Sequence, residues 1–285
     1  MKIEALTTVW GDEYIKRFIK GTVKSLGFKK NLEVMKFVNW NIFTDEKSFE
    51  EIDRAIQEVS PDITVHLRDL GVIRDRIDYL HSGVIWQIEQ CLKNKSRMLL
   101  LPPDSIFGDG SLQGLIEIGK EPLSCVVSPH PRALPEILNE AYDSNESLVK
   151  AAMKHLHRSW TDAEEGSDRQ NSFIGGVSWS RLTDKLIAVK HLLPTPYFCD
   201  FKEEDLTFFK QAPGIGVIDH VWPSSLVMED RLKYIGSSDA CFIVEITESH
   251  KNLPPVQRGA DQSKFWRQHP HNRFSAQIAC LFRSS

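Results

Sequence analysis

No apolar run in this sequence approaches the roughly 18 residues that a bilayer-crossing helix requires, and the N-terminal stretch MKIEALTTVWGDEY lacks the unbroken apolar core of a signal peptide. The expectation is a cytoplasmic chain with no transmembrane segment. The cysteines, Cys91, Cys125, Cys199, Cys241 and Cys280, are odd in number and form no CxxC or CxxxC pair, which removes the zinc-knuckle reading and predicts buried free thiols. Also missing are a GxxxxGK[ST] loop, a GxGxxG after the first strand, an HExxH helix and a GxSxG elbow. Kinase, P-loop ATPase, zinc-protease and serine-hydrolase chemistry therefore lose their usual support. There is no internal repeat and no low-complexity segment.

What is present is a chain of 285 residues, 41% hydrophobic and 26% charged, enough to bury a substantial core. KIEALTTVW suits a first strand, and DEYIKRFIKGTVKSL a helix with Tyr14, Phe18, Val23 and Leu26 near one face, ended by Gly27. VMKFVNWNIFTD reads as a second strand, EKSFEEIDRAIQEV as a helix, DITVHLRDL as a third strand and VIRDRIDYLHSGVIWQIEQCLKN as a long helix leading into RMLLLPPD. Further on, PLSCVVSPHPRALPEIL predicts a strand turning into a helix, and ESLVKAAMKHLHRSW one amphipathic helix. Apolar runs in KLIAVKHLLPTPYFCDF, APGIGVIDHVWPSSL and DACFIVEIT follow. This alternation predicts an α/β fold with a mostly parallel central sheet covered by helices on both faces. In such sheets ligands gather at the carboxyl ends of the strands.

Acids stand at those ends. In SRMLLLPPDSIFGDGSLQGL the apolar run from Met98 to Leu101 meets two prolines and then Asp104, with Asp109 a short loop later. A carboxylate at the mouth of a parallel sheet suits a hard divalent cation, which prefers oxygen ligands and leaves positions for water and phosphate. Local structure offers another account: Asp104 equally suits a cap for the helix begun by SLQGLIEI or the start of a turn, and Asp109-Gly110 is a turn dipeptide. His130 and Arg132 in SPHPRALPE could pair with a diphosphate or mark an ordinary turn between prolines. His155 and His157 lie two apart and share no helical face, so they form no metal pair. Arg74 and Arg76 read as phosphate contacts or as solvated charges.

The helix RDRIDYLHSGVIWQIEQCLKNKSR followed by MLLLPPDSIFGDGSL resembles the centre of GT-A-type glycosyltransferases, in which a helix precedes the strand presenting the DxD-like metal and nucleotide-sugar motif. The resemblance covers roughly residues 3 to 140, and residues 141 to 248 in outline. It implies transfer of a sugar from a nucleotide-diphosphate donor to an acceptor hydroxyl, assisted by Mn2+ or Mg2+. Where the family has two acids, this sequence has Pro102-Pro103-Asp104, so one acid is retained and another ligand must help it. Asp109 or a group late in the chain would supply that help. By resemblance His220 in GVIDHVWP is such a group, and an imidazole ligand favours manganese over magnesium. The carboxylate that takes the acceptor's proton would be Asp239, preferred over Asp219, because Glu245 lies inside its strand and reads as a paired structural residue. Trp10 would border the base, with Arg74, Arg76 and Asp104 completing the donor site.

After Thr247 the composition turns polar and basic, which divides the chain into a domain of residues 1–250 and a tail of residues 251–285. From Lys251 onward Lys251, Arg258, Lys264, Arg267, Arg273 and Arg283 face a lone Asp261. The tail either recruits an anionic acceptor, such as a lipid-linked glycan or nucleic acid, or docks on the domain through Phe265, Trp266, Phe274 and Phe282. The competing account of the whole protein is a non-catalytic GT-A-like binding protein that uses this tail to contact an anionic partner.

Overall fold

A computed structural model describes residues 1–73, 79–164, 177–191, 195–212, 218, 222–248 and 280–283. β1 (Lys2–Thr8) leads into α1 (Asp12–Phe18), a π-type segment over Ile19–Val23, and α2 (Lys24–Leu26), which stops at Gly27 as expected. α3 (Lys29–Met35), β2 (Val38–Thr44), α4 (Phe49–Val59), β3 (Val65–Asp69), α5 (Tyr79–Asn94) and β4 (Ser96–Leu100) complete the alternating part. Then follow β5 (Ser105–Phe107), α6 (Ser111–Ile118), β6 (Cys125–Ser128), β7 (Arg132–Ala133), α7 (Asn145–Lys154) and α8 (Arg158–Thr161). The remaining elements are β8 (Val177–Thr183), β9 (Leu186–His191), β10 (Thr195–Cys199), α9 (Glu203–Gln211), α10 (Trp222–Met228), β11 (Leu232–Tyr234), β12 (Ile243–Ile246) and β13 (Cys280–Arg283).

The central sheet has seven strands in the order β3-β2-β1-β4-β10-β6-β11, and every neighbouring pair is parallel except those made by β10. The expected α/β fold with a mostly parallel sheet is therefore observed. Ile3 and Ala5 on one side of β1, with Val9 just past its end, join a core with Ile15, Phe18, Val23 and Leu26 of the first helical stretch and Ile52 and Ile56 of α4. On the other side Leu6 packs with Val84, Ile85 and Ile88 of α5, and that core extends to Phe209 and Trp222 of α9 and α10. Cover on both faces explains why β1 and β4 read as nearly continuous apolar runs.

Two small sheets flank the large one: β5-β12-β7, in which β12 is antiparallel to β5 and parallel to β7, and the antiparallel β13-β9-β8. β13 places Cys280 and Phe282 in the core, with Phe282 stacked on Trp160 and edge-on to Phe242. The last strand of the basic tail is thus part of the domain's packing. Phe265, Trp266 and Phe274 lie outside the described residues.

Several local expectations are corrected. Val34 and Met35, read as the start of the second strand, close α3 instead, because KKNLEVM presents Met35 to the core at helical spacing. Tyr14 does not share the buried face of Phe18, Val23 and Leu26; its side chain is half exposed, and Ile15 is buried in its place. The π-type segment adds a residue to the turn and shifts the face that follows it. ESLVKAAMKHLHRSW is two helices, because the His157 side chain caps α8 by accepting from Ser159 N (3.2 Å). The stretch after His130 forms β7 and a 3-10 turn over Pro135–Asn139 in place of a helix.

Candidate functional site

The carboxyl ends of β1 and β4 open into a cavity of about 460 Å3. Thr7, Thr8 and Val9 close it from β1, Leu100 and Leu101 from β4, and Thr195 and Tyr197 from the antiparallel β10, which begins at the same end. His81 of α5 lines a wall. Trp10 and Tyr14 stand at its edge with 39% and 50% of their surfaces exposed, Trp10 edge-on to Tyr79 and Tyr14 beneath the Arg17 guanidinium (5.2 Å).

Pro102 and Pro103 carry no amide hydrogen and cannot continue the β4 ladder. The turn they make is held from the first helix: Thr22 Oγ1 donates to the carbonyls of Pro102 (2.9 Å) and Ser105 (2.8 Å). Gly21 permits this approach, because a Cβ there would stand 2.8 Å from Ile246 Cδ1. On the far side β12 pairs with β5, setting Glu245 opposite Ser105, while Ile246 N donates to the Asp104 carbonyl (2.6 Å). A strand remote in sequence therefore places its own acid, Glu245, beside Asp104 in the same cavity.

Glu245 is gripped from β7. Its carboxylate accepts from His130 Nε2 (3.1 Å) and from Arg132 Nε, at 3.0 Å to Oε1 and 3.1 Å to Oε2. Burial alone would raise its pKa, but the hydrogen bond and charge of His130 and the charge of Arg132 outweigh it and hold the group below the usual carboxylate range. Asp104 moves the opposite way. Burial first, and then the neighbouring Glu245 charge, push it up to about 7 against its own backbone amide, His130 and Arg132. Among the described residues, no side chain of another residue forms a hydrogen bond that favours the Asp104 carboxylate.

Of the residues expected to form the donor and metal sites, Trp10 and Asp104 meet in this cavity. Asp109 does not line it; its Oδ1 accepts from Lys30 N in the first turn of α3 (2.8 Å). Asp239 does not line it either, and pairs with Arg283 of β13 (3.1 Å) in an exposed turn. Arg74, Arg76, Asp219 and His220 lie outside the described residues, although Ile218, adjacent to Asp219, borders the cavity. From sequence Glu245 reads as a paired structural residue, and His130 and Arg132 as a diphosphate contact or an ordinary turn; all three line the cavity. The signal was an acid inside the apolar run CFIVEIT, the same anomaly that drew attention to Asp104.

Among the described residues no group of three His, Cys, Asp or Glu is arranged to hold a metal ion. Hard divalent cations need fewer protein ligands when water and phosphate complete the shell. An enclosed carboxylate whose charge is opposed by a second carboxylate has the oxygen chemistry for one, since a cation would relieve the repulsion that a proton otherwise relieves.

Neither a protein-family model nor a curated protein sequence matches the chain. Among solved structures it is similar to the mannosyltransferase PcManGT from Pyrobaculum calidifontis in complex with GDP-Man and Mn2+, at 10% identity over 97% of this chain and 64% of that one, with a TM-score of 0.45. It is also similar to GalNAc-T7 with UDP, GalNAc and Mn2+ (12% identity, 91% and 46% of the two chains, TM-score 0.47). A third is 4-diphosphocytidyl-2C-methyl-D-erythritol synthase from Anaerococcus prevotii (10% identity, 95% of each chain, TM-score 0.42). The chain spans less than two thirds of the length of the first two.

Proposed function

We propose that this chain is a nucleotide-sugar-dependent glycosyltransferase whose donor lies in the cavity at the ends of β1 and β4. The observation that carries the reading is Asp104: an enclosed carboxylate, after a rigid Pro-Pro turn, at the end of a parallel strand in a cavity large enough for a small-molecule ligand. Trp10, with its partly exposed indole at the edge, borders the base of the donor. Asp104 would hold the divalent cation, manganese or magnesium, which when bound would supply charge neutralisation for a diphosphate leaving group. Thr7 and Thr8 offer hydroxyls from the strand end, although Thr7 Oγ1 already donates to Leu101 O (2.6 Å) and accepts from Trp40 Nε1 (2.9 Å). The apolar walls limit water around the sugar, so that an acceptor hydroxyl meets less competition from hydrolysis. The acceptor is an alcohol, and an anionic one if the basic segment between Lys251 and Arg273 meets it.

Thermal shift with UDP-, GDP-, CMP- and dTDP-linked sugars, with and without Mn2+, tests the reading. A donor should raise the melting temperature, and Mn2+ should enlarge the rise. Asp104→Asn keeps the shape and removes the charge, so turnover should fall on the order of 10²-fold or more while the fold persists. Near-wild-type turnover in that variant would return Asp104 to a structural role.

A further inference from the structure

Asp104 alone is a thin cation site. The chain carries one acid where the DxD-like pattern has two, and the nearest acid in sequence, Asp109, is spent on the first turn of α3. Asp239 is turned to Arg283 outside the cavity. The acid that does share the cavity comes from β12, and three observations bear on its use. The pairing of β12 with β5 fixes Glu245 opposite Ser105, the residue after Asp104, and Ile246 N is bonded to the Asp104 carbonyl, so the two acids are held on joined backbone. Glu245 is held by Arg132, which stands in register with it on the parallel neighbour β7, and by His130, two residues before that strand's first residue. And the Asp104 carboxylate, enclosed in the cavity, draws no hydrogen bond from another described side chain, which leaves its lone pairs for a ligand.

Resting on the transferase reading above, we propose that Glu245 is the second carboxylate of the cation site, so that Asp104 and Glu245 supply across two strands the acid pair that LPPD lacks along the chain. His130 and Arg132 are positioning residues in this arrangement. His130 Nε2 bonds Oε2 and Arg132 Nε spans both oxygens, and each carboxylate oxygen accepts more than one bond, so Oε1, with one donor, keeps capacity for a cation. Two protein carboxylates with water and phosphate oxygens make the sparse ligand set that magnesium and manganese accept.

The test uses Mn2+ alone, with the full-length chain and no nucleotide, the free ion being followed by electron paramagnetic resonance. Wild type should bind the ion, and Asp104→Asn and Glu245→Gln should each weaken binding by on the order of tenfold or more. Glu245→Asp, which keeps the charge, should lose less than Glu245→Gln. Glu140→Gln, which alters a carboxylate paired with Lys154 and His155 away from the cavity, should leave binding unchanged. If Glu245→Gln does not fold, wild type carries the test: bound Mn2+ should broaden the imidazole resonances of His130 before those of His155. Wild-type affinity in Glu245→Gln, or sharp His130 resonances with Mn2+ bound, overturns the proposal. If no nucleotide sugar stabilises the protein while Mn2+ binding still needs both acids, the transferase reading fails and the carboxylate pair stands.

Discussion

The two ends of the central sheet each hold an acid, buried at one end and half-buried at the other, and they treat it differently. At the amino end, Glu4 of β1 accepts from Gln87 Nε2 (2.8 Å), Asn94 Nδ2 (2.7 Å) and Ser96 Oγ (2.9 Å), while Gln87 Oε1 in turn accepts from Asn41 (3.0 Å). At the carboxyl end, Asp104 shares its cavity with another carboxylate, and the His130 and Arg132 side chains bond that neighbour. A buried charge is tolerable when donors surround it, and unfavourable when they do not. Glu4 is therefore saturated and belongs to the fold. Asp104 has no such donors among the described side chains, and the cavity lies in front of it.

The largest effect is expected away from both ends and sets the scale for them. Cutting the chain after His250 removes β13, exposing the surfaces that Phe282 and Cys280 cover on Trp160 and Phe242, at a cost of about 3–5 kcal/mol or more. Chemical denaturation should report that loss; a truncated chain as stable as wild type would show the tail to be dispensable for folding and free to act in recruitment. At the amino end Glu4→Ala strands three donors and should cost about 2–3 kcal/mol, while the folded fraction keeps its nucleotide affinity. A loss of affinity with unchanged stability would erase the distinction between the two ends.

The smallest effect is a pH dependence confined to the carboxyl end. The folded-state pKa of Asp104 is raised, so its protonated form contributes stability that is fully present below the ordinary carboxylate range and is lost as pH rises through about 7. The depressed Glu245 acts in the opposite sense, in a window below the ordinary glutamate range. In chelator, the melting temperature of wild type should fall by a few degrees between pH 5 and pH 8, and Asp104→Asn should flatten that slope. Equal slopes would mean that Asp104 finds compensation in the folded protein as Glu4 does.

Much of this was legible locally. MLLLPPD announces a buried strand stopped by prolines, because four apolar residues in a row and two missing amide hydrogens act on the chain wherever it lies. EKSFEEIDRAIQEV displays its helix for the same reason, with Ile52 and Ile56 one turn apart and both buried. The break at His157 and the helix over Lys29–Met35 were harder, since each turns on a single cap or a single core contact within an otherwise ambiguous stretch.

What the residues determined by themselves is the alternation of strands and helices, the parallel sheet it implies, and the acid delivered to the end of β4. Which acids are satisfied and which are not was decided only in three dimensions. Glu4 and Glu245 both sit inside strands and look alike in sequence. One meets amides and a hydroxyl because α5 and β4 lie beside β1; the other meets Asp104 because β12 pairs with β5 and β7, far along the chain. The charge state and chemical use of a carboxylate depend on the donors within a few ångströms of it, and those are chosen by non-local strand pairing, which no local pattern encodes.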